Sequence, residues 1–141
     1  MKPFLSLIRP HHYVKNLFIL LPLFFAGQFS NNSQILNGLI AFAAFSISAS
    51  AIYIFNDYMD IKNDRKHAKK KYRPLASGLI SKRIALYLMI ILLTIGIFSM
   101  AYVSTGSLTI LIVYIILNIL YSLKLKQIAL LDITIIAIGF V

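Results

Sequence analysis

Asn56-Asp57-Tyr58-Met59-Asp60-Ile61-Lys62-Asn63-Asp64 closes an apolar run in which no charged residue occurs between Lys15 and Asp57. The chain has four acidic residues, all Asp, and three of them (Asp57, Asp60 and Asp64) stand in this stretch. If the preceding helix continues through it, offsets of three and seven residues put the three carboxylates on one face, with Asn56 one turn from Asp60. Unpaired, they would repel one another. Hard divalent cations, Mg²⁺ above all, are held by one or two carboxylates plus substrate phosphate oxygens, so the ladder suits a metal that bridges protein to a diphosphate. A single Asp of the set reads more simply as a solvated carboxylate at a helix end, neutralised by neighbouring lysines. It is the spacing of all three that points to a metal.

The surroundings of the ladder define its solvent. Of 141 residues, 60% are apolar and 13% charged, and the mean hydropathy is +0.84, whereas soluble domains carry about a quarter charged residues. Two uncharged gaps, Lys15 to Asp57 and Arg83 to Lys124, are each about 40 residues long, enough for two spans of about 20. The expected fold is all-α, a polytopic transmembrane helix bundle with four spans plus the start of a fifth, within one domain over residues 1–141. The spans fall at about 13–29 (kinked by Pro22), 35–58, 84–104 and 108–123. A polar turn at Ser30 to Gln34 joins the first pair, and Thr105-Gly106-Ser107 joins the second. Residues 59–83 form a loop between the pairs. Residues 130–141 begin a further span but are too few to cross a hydrocarbon core about 30 Å thick, so the sequence stops inside a helix. Small residues in the second span (Ala41, Ala43, Ala44, Ser46, Ser48, Ala49, Ser50, Ala51) let helices approach closely, as a packed bundle requires.

Loop charges give the orientation. Of 14 Lys and Arg residues, three lie in the N-terminal segment, nine in the central loop and two after residue 123; neither intervening turn has any. By the positive-inside rule the N-terminus and the Asp-rich loop are cytoplasmic, in a multi-pass protein of the inner cell membrane. This topology accounts for the net charge of +10 without nucleic acid. The absence of cysteine excludes disulfides and thiolate metal sites. Pro10, His11 and His12 break up the basic start, and no cleavable signal peptide is evident. An Asp at the bilayer centre costs about 2.5 to 3.5 kcal/mol, so the ladder belongs at the mouth of the bundle. There a soluble phosphate ester meets a lipid arriving sideways.

Asn56-Asp57-x-x-Asp60-x-x-x-Asp64, followed by Lys71-Tyr72-Arg73-Pro74-Leu75-Ala76-Ser77-Gly78, resembles the first Asp-rich motif of the UbiA-type intramembrane prenyltransferases. Arg9-Pro10-x-x-x-x-Lys15-Asn16, with Tyr121-Ser122 and Leu131-Asp132, is most similar to the decaprenyl-phosphate phosphoribosyltransferase branch. The similarity covers this chain and about the N-terminal half of such an enzyme. The resemblance implies a larger UbiA-like bundle, Mg²⁺ as cofactor, and a second polar or acidic motif in missing C-terminal helices needed to complete the site. It gives Asp57, Asp60 and Asp64 as catalytic metal ligands. Asn56, Arg9, Lys15, Asn16 and Arg73 become substrate-binding residues. The implied reaction moves 5-phosphoribose from phosphoribosyl pyrophosphate to a polyprenyl phosphate such as decaprenyl phosphate, within a cell-wall precursor route. One alternative is prenyl transfer from a prenyl diphosphate to an aromatic acceptor. Another is a non-enzymatic cation-binding or assembly protein, which would bind cations without phosphate dependence. The remaining residues carry weaker signals: the Lys run reads as ordinary positive-inside charge, and His67 as a loop residue, since a lone His is a poor metal site. Asp132 reads as a cap or supporting group, and Asn118 and Ser122 as hydrogen-bonding glue between helices.

Overall fold

The computed structural model describes residues 2–27 and 31–123. The described residues fold as helices: α1 (Lys2–Ile8), a 3₁₀ segment (Pro10–Leu20), α2 (Leu21–Phe25), α3 (Asn32–Lys66), a 3₁₀ turn (Lys70–Tyr72), α4 (Lys82–Val103) and α5 (Thr105–Leu123). Three of them, α3, α4 and α5, are long and apolar enough to cross a membrane.

The first expected span differs from its sequence reading. Instead of one kinked α-helix over 13–29, residues Pro10–Leu20 wind as a 3₁₀ helix that passes into the short α2 at Leu21, one residue before Pro22. A 3₁₀ helix rises about 2.0 Å per residue, so the composite Pro10–Phe25 still extends about 30 Å. Polar contacts hold it to α3: the Tyr13 and Ser50 hydroxyls lie 2.8 Å apart, and Asn16 Nδ2 donates to Ser46 Oγ at 3.0 Å. The fifth expected span lies outside the described residues.

The second span is longer than expected at both ends. Asn31 starts α3 with its side-chain oxygen accepting from the N–H groups of Ser33 and Gln34, so most of the expected turn is helix. At the other end α3 runs on to Lys66, closing with Arg65 and Lys66 against the helix dipole. Residues 59–66, expected as loop, are therefore the last turns of a helix about 50 Å long. That length exceeds the hydrocarbon thickness of about 30 Å, so α3 can carry its acidic turns beyond the apolar layer without breaking.

Thr105-Gly106-Ser107 is likewise the first turn of α5 rather than a loop. Ser104 alone separates α4 from α5, and its Oγ accepts from the Ser107 N–H at 3.0 Å. On α3 the small residues make the close approach they permit: a Cβ added at Gly96 of α4 would stand 2.9 Å from the Ala44 carbonyl oxygen and collide with Ser48 Oγ. Two apolar clusters result. One gathers Ala41, Ala44, Ile52, Met100, Leu111 and Ile115 in the body of the bundle. The other, at the acidic end, joins Leu7 of α1 to Ile54, Ile61, Leu75, Ile80 and Ala85.

Candidate functional site

The last turns of α3 carry the acidic residues. Asp57 and Asp64, two turns apart, are buried, with 2% and 3% of their surface exposed. Charges taken out of water require partners. Arg9 Nη2 lies 2.6 Å from Asp57 Oδ1, while Arg73 Nη1 bridges Asp57 Oδ1 at 3.2 Å and Asp64 Oδ2 at 2.8 Å.

Local structure aims each arginine. Arg9 sits between α1 and the 3₁₀ segment with φ 56° and ψ 56°, a left-handed conformation that costs a side-chain-bearing residue about 1 to 2 kcal/mol. It is the one non-glycine residue with positive φ among those described. Leu7, fully buried, anchors the approach to it; Ser50 Oγ donates to the Ile8 carbonyl at 2.8 Å, and the guanidinium lies 5.2 Å from the Tyr53 ring centre. Arg73 precedes Pro74 and is extended (φ −60°, ψ 144°), the conformation a following proline favours. Beyond it Leu75, Ala76 and Ile80 are buried. The Ile80 N–H reaches the Pro74 carbonyl at 3.1 Å, closing a compact loop, and Gly78 supplies a positive φ of 82°. Arg65 Nε donates to the Ala76 carbonyl at 3.0 Å, so this arginine pins the loop to α3.

These groups line a pocket of about 450 Å³ whose wall includes Arg9, Asn56, Asp57, Asp60, Asp64 and Arg73. The structure thus gathers six of the eight residues singled out from sequence. Lys15 and Asn16 lie elsewhere, along a more apolar cavity of about 570 Å³ with Phe18, Phe45 and Tyr114, where Asn16 is engaged with Ser46. Tyr53, Asn63, Lys70 and Tyr121 also line the acidic pocket. Of these, Lys70 reads in sequence as part of the positive-inside Lys run and Tyr121 enters only through the resemblance; Tyr53 and Asn63 were missed, and the available signal was helical spacing from Asp57 and Asp60. Asn56 Oδ1 accepts from Ser122 of α5, which ties the acidic helix to its neighbour as glue residues do. Asn118 instead donates to the Tyr114 carbonyl of its own helix. His67 Nδ1 accepts from the N–H groups of Lys69 and Lys70, a loop-shaping role. Asp132 lies outside the described residues.

Among the described residues no three His, Cys, Asp or Glu side chains converge on one point. The backbones of Asp57 and Asp64 are about 10 Å apart along the helix axis, and Arg73 Nη1 stands between their carboxylates. A smaller donor set does fit a hard cation. Asp57 Oδ2 is buried without a hydrogen-bond partner, and Asp57, Asp60 and Asn56 share the pocket wall, a donor set of the kind that holds a hard cation whose shell is completed by phosphate and water.

The sequence matches the UbiA prenyltransferase family over residues 16–141. The chain belongs to that family. It is 34% identical over 137 residues to a decaprenyl-phosphate phosphoribosyltransferase of Corynebacterium glutamicum, covering 94% of this chain and 41% of that protein. A digeranylgeranylglyceryl phosphate synthase of Methanosphaera stadtmanae is 31% identical over 127 residues, covering 90% and 44% respectively. A solved structure of digeranylgeranylglyceryl phosphate synthase in membranes superposes with a TM-score of 0.79 at 27% identity, over 89% of this chain and 44% of that one. The chain therefore spans less than half the length of these relatives. As a UbiA family member with three long apolar helices, it is an integral membrane protein, and its fold is that of the UbiA-type bundle.

Proposed function

We propose that the protein is a UbiA-family transferase whose acidic pocket binds phosphoribosyl pyrophosphate with Mg²⁺ and passes the phosphoribosyl group to a polyprenyl phosphate. One observation carries the reading: carboxylates and cations together line a single pocket at the end of α3, with Asp57, Asp60 and Asp64 facing Arg9, Lys70 and Arg73. A metal-diphosphate needs both signs of charge. The similarity to decaprenyl-phosphate phosphoribosyltransferases over 94% of the chain favours phosphoribose as the group moved. The activity proposed is that of the whole bundle, to which residues 1–141 contribute the first Asp-rich motif.

In this reading Arg9 and Arg73 grip phosphate oxygens, Arg forming paired bonds that fix orientation. Asp57 and Asp60, with Asn56 beside them, hold the cation. Mg²⁺ when bound offsets charge on the departing diphosphate. The bond between the ribose anomeric carbon and diphosphate breaks, and an oxygen of the lipid phosphate forms the new bond. That oxygen is already ionised at neutral pH, so no carboxylate need act as base. The residues position the reactants and stabilise charge. The acidic end of α3 lies on the cytoplasmic side, where the soluble donor is found, and the lipid enters from the bilayer.

A second reading, prenyl transfer from a prenyl diphosphate, is favoured by the 31% identity to a digeranylgeranylglyceryl phosphate synthase. Mass analysis of the lipid product separates the two. Full-length protein given both donors, polyprenyl phosphate and an aromatic acceptor yields a lipid heavier by one phosphoribosyl group if the first reading holds. A product joined to a prenyl chain, with no phosphoribosyl lipid, replaces it with the second.

A further inference from the structure

Arg73 and Arg9 both sit on one oxygen of the carboxylate that a cation would use. Arg73 Nη1 contacts both buried carboxylates, and Arg9 Nη2 makes the shortest ion pair of the site on the same oxygen, Asp57 Oδ1. The other oxygen, Asp57 Oδ2, is left without a partner. The two guanidinium groups already neutralise the charges of Asp57 and Asp64. Both arginines also line the pocket and retain partial exposure, 20% and 28% of their side chains, so each borders the space that an incoming anion would enter.

We infer that the pocket takes its divalent cation as a cation–diphosphate pair and excludes the free ion, because Arg73 and Arg9 release Asp57 and Asp64 only when a polyphosphate anion receives them. A free cation approaching Asp57 meets two positive groups within hydrogen-bond distance of the same carboxylate. On Asp57 Oδ2 it would stand beside two guanidinium groups, in a pocket also lined by Lys70, with no anion to offset the added charge. A diphosphate removes that conflict, since the arginines exchange one anion for another while the carboxylates turn to the metal. Cation and anion sites are then coupled, and the coupling is reciprocal. The left-handed backbone at Arg9 is a local strain of the kind that collects at ligand clamps and switches. The inference rests on the reading of this pocket as a metal and diphosphate site.

Equilibrium dialysis of the full-length protein in lipid nanodiscs, with labelled Mn²⁺ and labelled pyrophosphate, tests it without any turnover. The wild type should hold Mn²⁺ and pyrophosphate together, and bind Mn²⁺ alone at least about tenfold more weakly. Arg73→Gln should bind Mn²⁺ alone at least about tenfold more tightly than wild type, and pyrophosphate should no longer strengthen it. Arg9→Gln, on a separate segment, should shift in the same direction, and each variant is taken forward only as a monodisperse species. Equal Mn²⁺ affinity with and without pyrophosphate in the wild type, lost in Asp57→Asn, overturns the exclusion of the free ion while leaving the metal site in place. Absence of Mn²⁺ retention under every condition overturns both.

Discussion

At the residue scale the decisive feature is a carboxylate that cannot reach water. Asp57 is 2% exposed and depends on Arg9 and Arg73 for its charge balance. Removing one partner of a buried pair costs about 3 to 5 kcal/mol because it strands the other charge. Arg9→Ala should sit at the lower end, about 3 kcal/mol, since Arg73 remains on the same oxygen. Chemical unfolding in detergent measures it, and adding Asp57→Asn to Arg9→Ala should recover more than about 1 kcal/mol of the loss. Equal destabilisation of the single and double variants would show that the pair is not what holds Arg9 in place. The carboxylate ladder was legible in sequence because clustering of three Asp in an acid-poor chain is visible without coordinates. The occupancy of Asp57 and Asp64 by arginines was not, since Arg9 lies 48 residues from Asp57 and only the fold brings them together.

At the element scale, α3 organises the molecule. The α3–α4 contact rests on Gly96 facing Ala44 and Ser48. Gly96→Ala places a methyl group against the Ala44 backbone, and overpacking of this kind costs about 1 to 3 kcal/mol. Gly96→Leu should prevent the contact and leave the protein aggregated on size-exclusion chromatography. A Gly96→Ala variant of wild-type stability would mean that the helices meet along a different line. Helix caps make a smaller prediction. Asn31→Ala removes the acceptor for two N–H groups at the start of α3 and should cost about 1 kcal/mol. The cores of α3, α4 and α5 were readable from uncharged length alone, and their ends were not. Polar residues such as Asn32, Ser33 and Ser107 look like turn formers, yet here they follow the capping side chains of Asn31 and Ser104. The 3₁₀ winding of Pro10–Leu20 also escaped the sequence, because its apolar content suits either helix and its register is set by Tyr13 and Asn16 bonding to α3.

At the scale of the whole molecule, the proposed topology has the Arg73 loop on the cytoplasmic side and the short α4–α5 connection on the other. Residues 1–141 contain no cysteine, so a thiol placed in either connection is compared against the unsubstituted protein as its background. Lys71→Cys should react with an impermeant maleimide only in inside-out vesicles, and Thr105→Cys only in right-side-out ones; the reverse pattern would place the acidic pocket on the wrong side for a soluble donor. The helical membrane bundle was legible from composition and uncharged length, because the bilayer leaves few solutions to a chain this apolar. Which phosphate ester the pocket accepts was not, since metal-assisted departure of diphosphate serves both a ribosyl and a prenyl donor. The most direct measurement gives full-length protein in membranes Mg²⁺, polyprenyl phosphate and phosphoribosyl pyrophosphate labelled in the ribose, beside an Asp57→Asn and Asp60→Asn double variant. Label should pass into the lipid phase with the wild type and fall by at least about a hundredfold in the variant, in line with the loss of groups that stabilise developing charge. Lipid labelling of equal rate in a folded double variant, or none from a wild type active with a prenyl diphosphate, would contradict the account.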